Sequence, residues 1–384
     1  MLRAPLLPAA IVTSFFVSGL FPTASAETKV TYEEAQGRIN NQSVPRWWVT
    51  DLPGVLEELS KVNNGTVSSI ARTPGGHDVH LLQYGREAQG EQLANFNSAV
   101  GAQEPDVYRA KSSRKEPVIY FLGPVHGQEI EGVAGLVNFI HVLETGRDLR
   151  DRPQPTLVEL AQKCRLLIIP VGNPDGVARC EPRSFIGMRF NDMRFWGQGT
   201  WSDDTIIGWP AAKRLHPMVG ARVGFRGCYF NDDGINLMHD EFFAPRSKEV
   251  PAILQVAYDE APDLAVSLHS HNDLPMLIRP AHVPLEVQHD VLALGKSCYA
   301  LLDQRRLPHA GPFKVQAEQG VIPRSFNLVS AIYHTSGAHA FTFESPHGLD
   351  VEKWPEKTHE RILDIQLSLY EAMMRFEIDK KVIP

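Results

Sequence analysis

The chain has 384 residues, 43% hydrophobic and 22% charged, with Lys+Arg 38 against Asp+Glu 45 and a formal net charge of −7. This composition is close to that of an average soluble domain and suits one large α/β domain or two ordinary ones, long enough to bury a core without disulfide staples. With neither a basic excess nor a long block of like charges, it argues against a nucleic-acid partner.

Residues 1–26 read as a secretion signal. Arg3 gives a short positive start, residues 4–22 are mostly apolar, and Ala24-Ser25-Ala26 is a small-residue cleavage site. Pro5, Pro8 and Pro22 interrupt the apolar run, which disfavours a membrane anchor. The expectation is cleavage after Ala26, export to the periplasm or beyond, and no stable membrane insertion. Cys164, Cys180, Cys228 and Cys298 allow one or two disulfides in an oxidising compartment, and none has the C-x-x-C spacing of a cysteine-held metal.

Residues 27–45 are polar and read as loop, and Leu52 to Leu59 has helical spacing. Residues 67–70 and 79–83 read as short strands split by a Pro-Gly-Gly turn. Residues 87–116 are polar and poorly periodic, an excursion. Residues 117–123, Pro-Val-Ile-Tyr-Phe-Leu-Gly, have the character of a buried parallel strand, and a helix follows from Glu131 to Glu144, ending near Gly146. Similar apolar runs lie at 164–171, 264–268 and 340–343. They stop at Asn173-Pro-Asp-Gly, at His269-Ser-His and at Glu344-Ser-Pro. Helical patterns occupy 247–261, 286–305 and 355–378, while 179–246, rich in Gly, Arg, Trp and Asp, reads as long functional loops. Buried strands alternating with helices predict an α/β fold, mostly parallel and covered on both faces, as one domain over 27–384. In such sheets ligands bind beyond the carboxyl ends of the strands.

Chemistry-bearing residues stand at those ends. His126 and Glu129 follow the 117–123 strand, three apart, and an imidazole and a carboxylate are both good zinc ligands. A catalytic zinc takes three protein ligands and leaves one position open, and His269, ending another strand, is the candidate third. Glu344, ending a further strand, is placed to serve as general base and then as acid to a leaving amine. His271, two residues past His269, would line the pocket or orient a loop.

These pieces resemble the zinc carboxypeptidase (carboxypeptidase A-like, funnelin) family. They run in family order from about 50 to 375: Pro-Val-His126-Gly-Gln-Glu129, Asn173-Pro-Asp-Gly176, Gly234-Ile-Asn-Leu237, Ser267-Leu-His269-Ser270, Tyr333-His-Thr-Ser-Gly337 and Phe341-Thr-Phe-Glu344. The resemblance implies a central mixed, mostly parallel eight-stranded sheet flanked by helices, and one zinc on His126, Glu129 and His269, with Glu344 as base. It implies that Tyr333 closes over the substrate and that an arginine after Asn173-Pro-Asp-Gly polarises the scissile carbonyl. Arg179, Arg183, Arg189 and Arg194 are the candidates, and Arg194, in Asn-Asp-Met-Arg-Phe-Trp, fits best.

The chain departs from that pattern where carboxypeptidases carry an Asn-Arg pair that clamps the substrate's terminal carboxylate. Met238 and His239 stand there, followed by Asp240 and Glu241, which would repel a carboxylate. His239 remains a substrate-binding candidate, and Arg246 or Arg279 could read the carboxylate instead. The leading expectation is a zinc hydrolase of peptide or small amide bonds with atypical end-group recognition. The alternatives are a zinc deacylase acting on N-acyl amino acids or amines, and an inactive secreted binding protein, disfavoured because all three ligands and the base are present.

Overall fold

The computed structural model describes residues 28–87, 92–314, 325–349 and 357–382, so the predicted secretion signal lies outside the described residues. No helix among them is long and apolar enough to cross a membrane.

Among the described residues nine strands form two sheets: β1 Thr66–Arg72, β2 Asp78–Tyr84, β3 Val118–Leu122, β4 Arg165–Ile169, β5 Gly199–Trp201, β6 Val223–Arg226, β7 Leu264–His271, β8 Met276–Ile278 and β9 His339–Pro346. The main sheet has seven strands among the described residues, not eight, in the order β1-β2-β4-β3-β7-β9-β8, and β5 and β6 form a separate ribbon. The centre, β4-β3-β7-β9, is parallel, and antiparallel pairs lie at both margins.

Side-chain alternation explains why the central strands are apolar on both faces over most of their length. On β3, Ile119 and Phe121 enter one cluster, while Val118, Tyr120 and Leu122 enter the cluster on the other face. β4 repeats this with Leu166 and Ile168 against Leu167 and Ile169. Helices Glu131–Thr145, Leu285–Gln304 and His359–Val382 cover the first face, and Glu249–Glu260 and Leu328–Ser336 cover the second. The first of these stops at Gly146, whose φ of 78° is a left-handed cap suited to glycine.

Three segments that read as loop carry structure. Tyr32–Gln36 is a short helix closed by a Thr31–Glu34 capping box. The polar excursion holds helices Phe96–Gly101 and Asp106–Arg109, pinned because Tyr108 is buried and its hydroxyl donates to the Tyr258 carbonyl at 2.6 Å. The 179–246 stretch holds helix Phe190–Gln198 as well as β5 and β6. The four cysteines are free thiols rather than disulfides, and Cys180 Sγ lies 3.6 Å from the Pro182 carbonyl oxygen.

Phe343 tests the core that carries the end of β9, because its fully buried ring belongs to the first cluster. Phe343→Ala is expected to cost about 3–5 kcal/mol, read as a lower urea midpoint at unchanged slope.

Candidate metal centre and cavity

β3 ends at Leu122, and Gly123-Pro124-Val125 carry the chain to His126. The Gly127 amide donates to the Cys228 carbonyl at 2.7 Å. A Cβ on Gly127 would meet the Gly176 carbonyl carbon at 2.1 Å, so only glycine allows this approach. Asn173 fastens the same segment: its backbone amide donates to the Pro124 carbonyl at 3.0 Å and its side-chain amide to the Val125 carbonyl at 3.1 Å. The Asn173-Pro-Asp-Gly turn thus holds the ligand loop in place. Its Asp175 accepts from the Gly75 amide at 3.1 Å and the Asp232 amide at 2.9 Å, joining two further turns to it.

His126 Nδ1 lies 3.0 Å from Glu129 Oε1, and His269 Nδ1 lies 2.7 Å from Glu129 Oε2. All three residues are buried, and their ligand atoms lie within 4.8 Å of one another. Burial by itself would raise the Glu129 carboxyl, but the charges and hydrogen bonds of the two histidines outweigh it and hold the group well below the usual carboxylate range.

The outer ring nitrogens are taken by protein. His126 Nε2 faces Asn236 Oδ1 at 3.1 Å, and His269 Nε2 faces Ser267 Oγ at 3.1 Å. Asn236 Oδ1 also accepts the Met238 amide at 3.1 Å. Such acceptors favour the tautomer with the proton on Nε2, leaving the Nδ1 lone pair for a metal. Two imidazole nitrogens and one carboxylate, turned toward a cavity, form a donor set that fits zinc with a fourth position open.

Tyr229 completes this centre, and no sequence signal pointed to it. Its ring stacks on His126 with centroids 3.8 Å apart and planes 9° apart. His216 is also unforeseen; its Nε2 accepts the Asn236 amide at 2.6 Å. Buried His347 pairs with buried Glu131 at 3.1 Å.

The cavity measures about 780 Å3 and takes in His126, Glu129, His269, Glu344, Arg194 and His239. Glu344 is the direct register partner of His269 across the parallel β7–β9 pair, so both side chains leave the sheet on one face. Arg194 bonds Asn191 Oδ1 at 3.2 Å and lies over the Phe190 ring. The other three candidate arginines are engaged elsewhere: Arg179 with Asp232 and the Gly227 and Phe230 carbonyls, Arg183 with Asp51, Arg189 with Asp192. Met238 and His271 also line the cavity, and His271 is held by the Leu274 carbonyl at 2.8 Å. Gln128 Oε1, Gln198 Oε1 and Ser270 Oγ are buried without a hydrogen-bond partner among the described residues, and their residues line the same space.

Burial, reinforced by the nearby Lys213, His126 and His269, pushes His239 down to about 3, so its ring is neutral at neutral pH. Tyr333 is not among the lining residues; its ring packs edge-on against Phe96 with centroids 5.6 Å apart. Arg246 and Arg279 do not line the cavity either. The expected repulsion by Asp240 and Glu241 is also corrected. Asp240 is buried and accepts the amides of Glu241 at 2.7 Å, Arg246 at 3.1 Å and Ser247 at 3.0 Å, so it folds its own loop. Glu241 sits near Arg246, 3.7 Å away, and neither acid faces the cavity.

Asn236→Ala removes the acceptor that orients His126. Zinc affinity, measured by competition with a chromogenic chelator, is expected to fall about 10–100-fold.

Residues 56–218 match the family model for zinc carboxypeptidase. No curated protein matches the chain in sequence. Among solved structures, a protein of Shewanella denitrificans assigned as carboxypeptidase A is 17% identical, covering 87% of this chain and 71% of its own with a TM-score of 0.52. A metallo-carboxypeptidase from Burkholderia cenocepacia is 16% identical, covering 85% and 68% with a TM-score of 0.50. At such identities the structural likeness concerns the fold. Residues 56–218 thus match the zinc carboxypeptidase family model, and most of the chain has a fold similar to that of solved carboxypeptidases.

Proposed function

We propose that the chain is a zinc-dependent hydrolase of amide bonds, with His126, Glu129 and His269 as metal ligands and Glu344 as general base. The observation that carries this reading is the β7–β9 register, which sets Glu344 beside His269 with both in one cavity. Bound zinc would polarise the scissile carbonyl and make a water acidic enough to lose its proton near neutral pH. Glu344 takes that proton and returns it to the leaving nitrogen, so one carboxylate serves both halves of the reaction. Arg194, in the same cavity, faces the charge that develops on the carbonyl oxygen. His239, neutral and lining the wall, offers substrate a hydrogen bond but no charge. Tyr333, packed on Phe96, has no part in this reading.

Two substrate classes fit: peptides cleaved near a free C-terminus, and N-acyl amino acids. In both, the amine side of the scissile amide carries an α-carboxylate. A binding protein without activity fits less well, because the ligands, the base and the tautomer-setting partners stand together.

Wild-type protein and Glu344→Gln are to be compared for zinc content and for turnover of free peptides, amidated peptides and N-acyl amino acids. One zinc per chain is expected in both, with kcat about 10²–10⁴ lower in the variant. Unchanged kcat in the variant, or turnover by a zinc-free wild type, would sink the mechanism.

A further inference from the structure

If the substrate carries an α-carboxylate, a negative charge enters a space that already holds Glu129 and Glu344. Met238 is apolar and His239 neutral, so neither balances it. The cavity nevertheless has two cations, Arg194 and Lys213, and neither is ion-paired with a carboxylate among the described residues. Arg194 lies on helix Phe190–Gln198, with its guanidinium against the backbone of Gly208. Lys213 comes from a different part of the long loop. Its ammonium lies 4.8 Å from the centroid of the Trp209 ring, and its charge is felt at both His239 and His269. The residue is exposed on one side and lines the cavity on the other, which puts it at the rim.

Its seat is built. Lys213 ends a 3₁₀ turn, Ala211–Lys213, in which the Ala212 amide donates to the Gly208 carbonyl at 3.0 Å and the Lys213 amide to the Pro210 carbonyl at 3.0 Å. Ala212 is fully buried among Ile207, Met218, Tyr229 and Phe230. Tyr229 is the ring stacked on His126, so one packed unit sets where the ammonium stands relative to the metal ligands.

We propose that Lys213 reads the substrate's α-carboxylate, taking from a separate loop the task for which Met238 and His239 are unsuited. The inference rests on the hydrolase reading for its substrate class, and the carboxylate is the chemistry common to peptide C-termini and N-acyl amino acids. Burial lowers the Lys213 pKa, a condition that a bound carboxylate relieves.

The test is calorimetric titration of the zinc-loaded full chain with N-benzoylglycine and with its neutral amide, N-benzoylglycinamide. Wild-type protein is expected to prefer the carboxylate about tenfold, the scale of one charge-assisted contact. Lys213→Gln should bring the ratio close to one with affinity for the amide unchanged, and Lys213→Arg should retain the preference. A wild type that binds both alike or neither, or a preference that survives Lys213→Gln, overturns the proposal. The readout is binding, so failure of the underlying reading is separable. A protein that prefers the carboxylate through Lys213 yet cleaves no substrate removes hydrolysis and leaves the anion site. One that cleaves free peptides equally well with Gln at 213 keeps hydrolysis and removes the role of Lys213.

Discussion

A single carboxylate, Glu129, buried between two imidazoles, is the interaction on which the rest of this architecture depends. An ionised carboxyl group out of water is tolerable only with opposite charge and hydrogen bonds around it. Each support comes from a different element: His126 from the loop after β3 and His269 from the end of β7. The strands must therefore end level with one another. The paired ladders β3–β7 and β7–β9 bring this about, and the backbone contact of Gly127 with Gly176 lets the ligand loop sit close enough.

The parts of this arrangement legible in the sequence are those where backbone geometry forces a residue type. Strands buried on both faces are apolar at most positions, and 117–123, 164–171, 264–268 and 340–343 announce themselves for that reason. His126, Glu129, His269 and Glu344 are visible because each follows such a run. Tyr229, Asn236 and His216 are invisible because they reach the ligands from irregular segments, where no period links sequence distance to spatial distance. Asp240 shows the same limit in reverse. Read as a free acid it is a repulsive charge, whereas in the structure backbone amides consume both its oxygens.

Chemistry and selectivity are divided between two kinds of scaffold. The proposed ligands and base stand at or just beyond strand ends, where sheet register fixes them to within a side chain's length. The groups that would meet the rest of the substrate, Arg194, Lys213, Met238 and His239, come from the 190–239 region of short helices and turns. Loops tolerate substitution more readily than ladder-paired strands, so this division allows the end-group wall to diverge while the metal site stays intact.

Tyr229 complicates that freedom. The ring belongs at once to the stack on His126 and to the apolar cluster that seats Ala212. The long loop is therefore not an interchangeable cassette. A graft of this segment from a relative with other selectivity would bring a foreign neighbour to the tyrosine, and the disturbance would pass through one aromatic ring to the imidazole beneath it. Retuning the end-group wall and preserving the geometry of the candidate metal site are coupled design problems, and a loop exchange that ignores the ring would alter both.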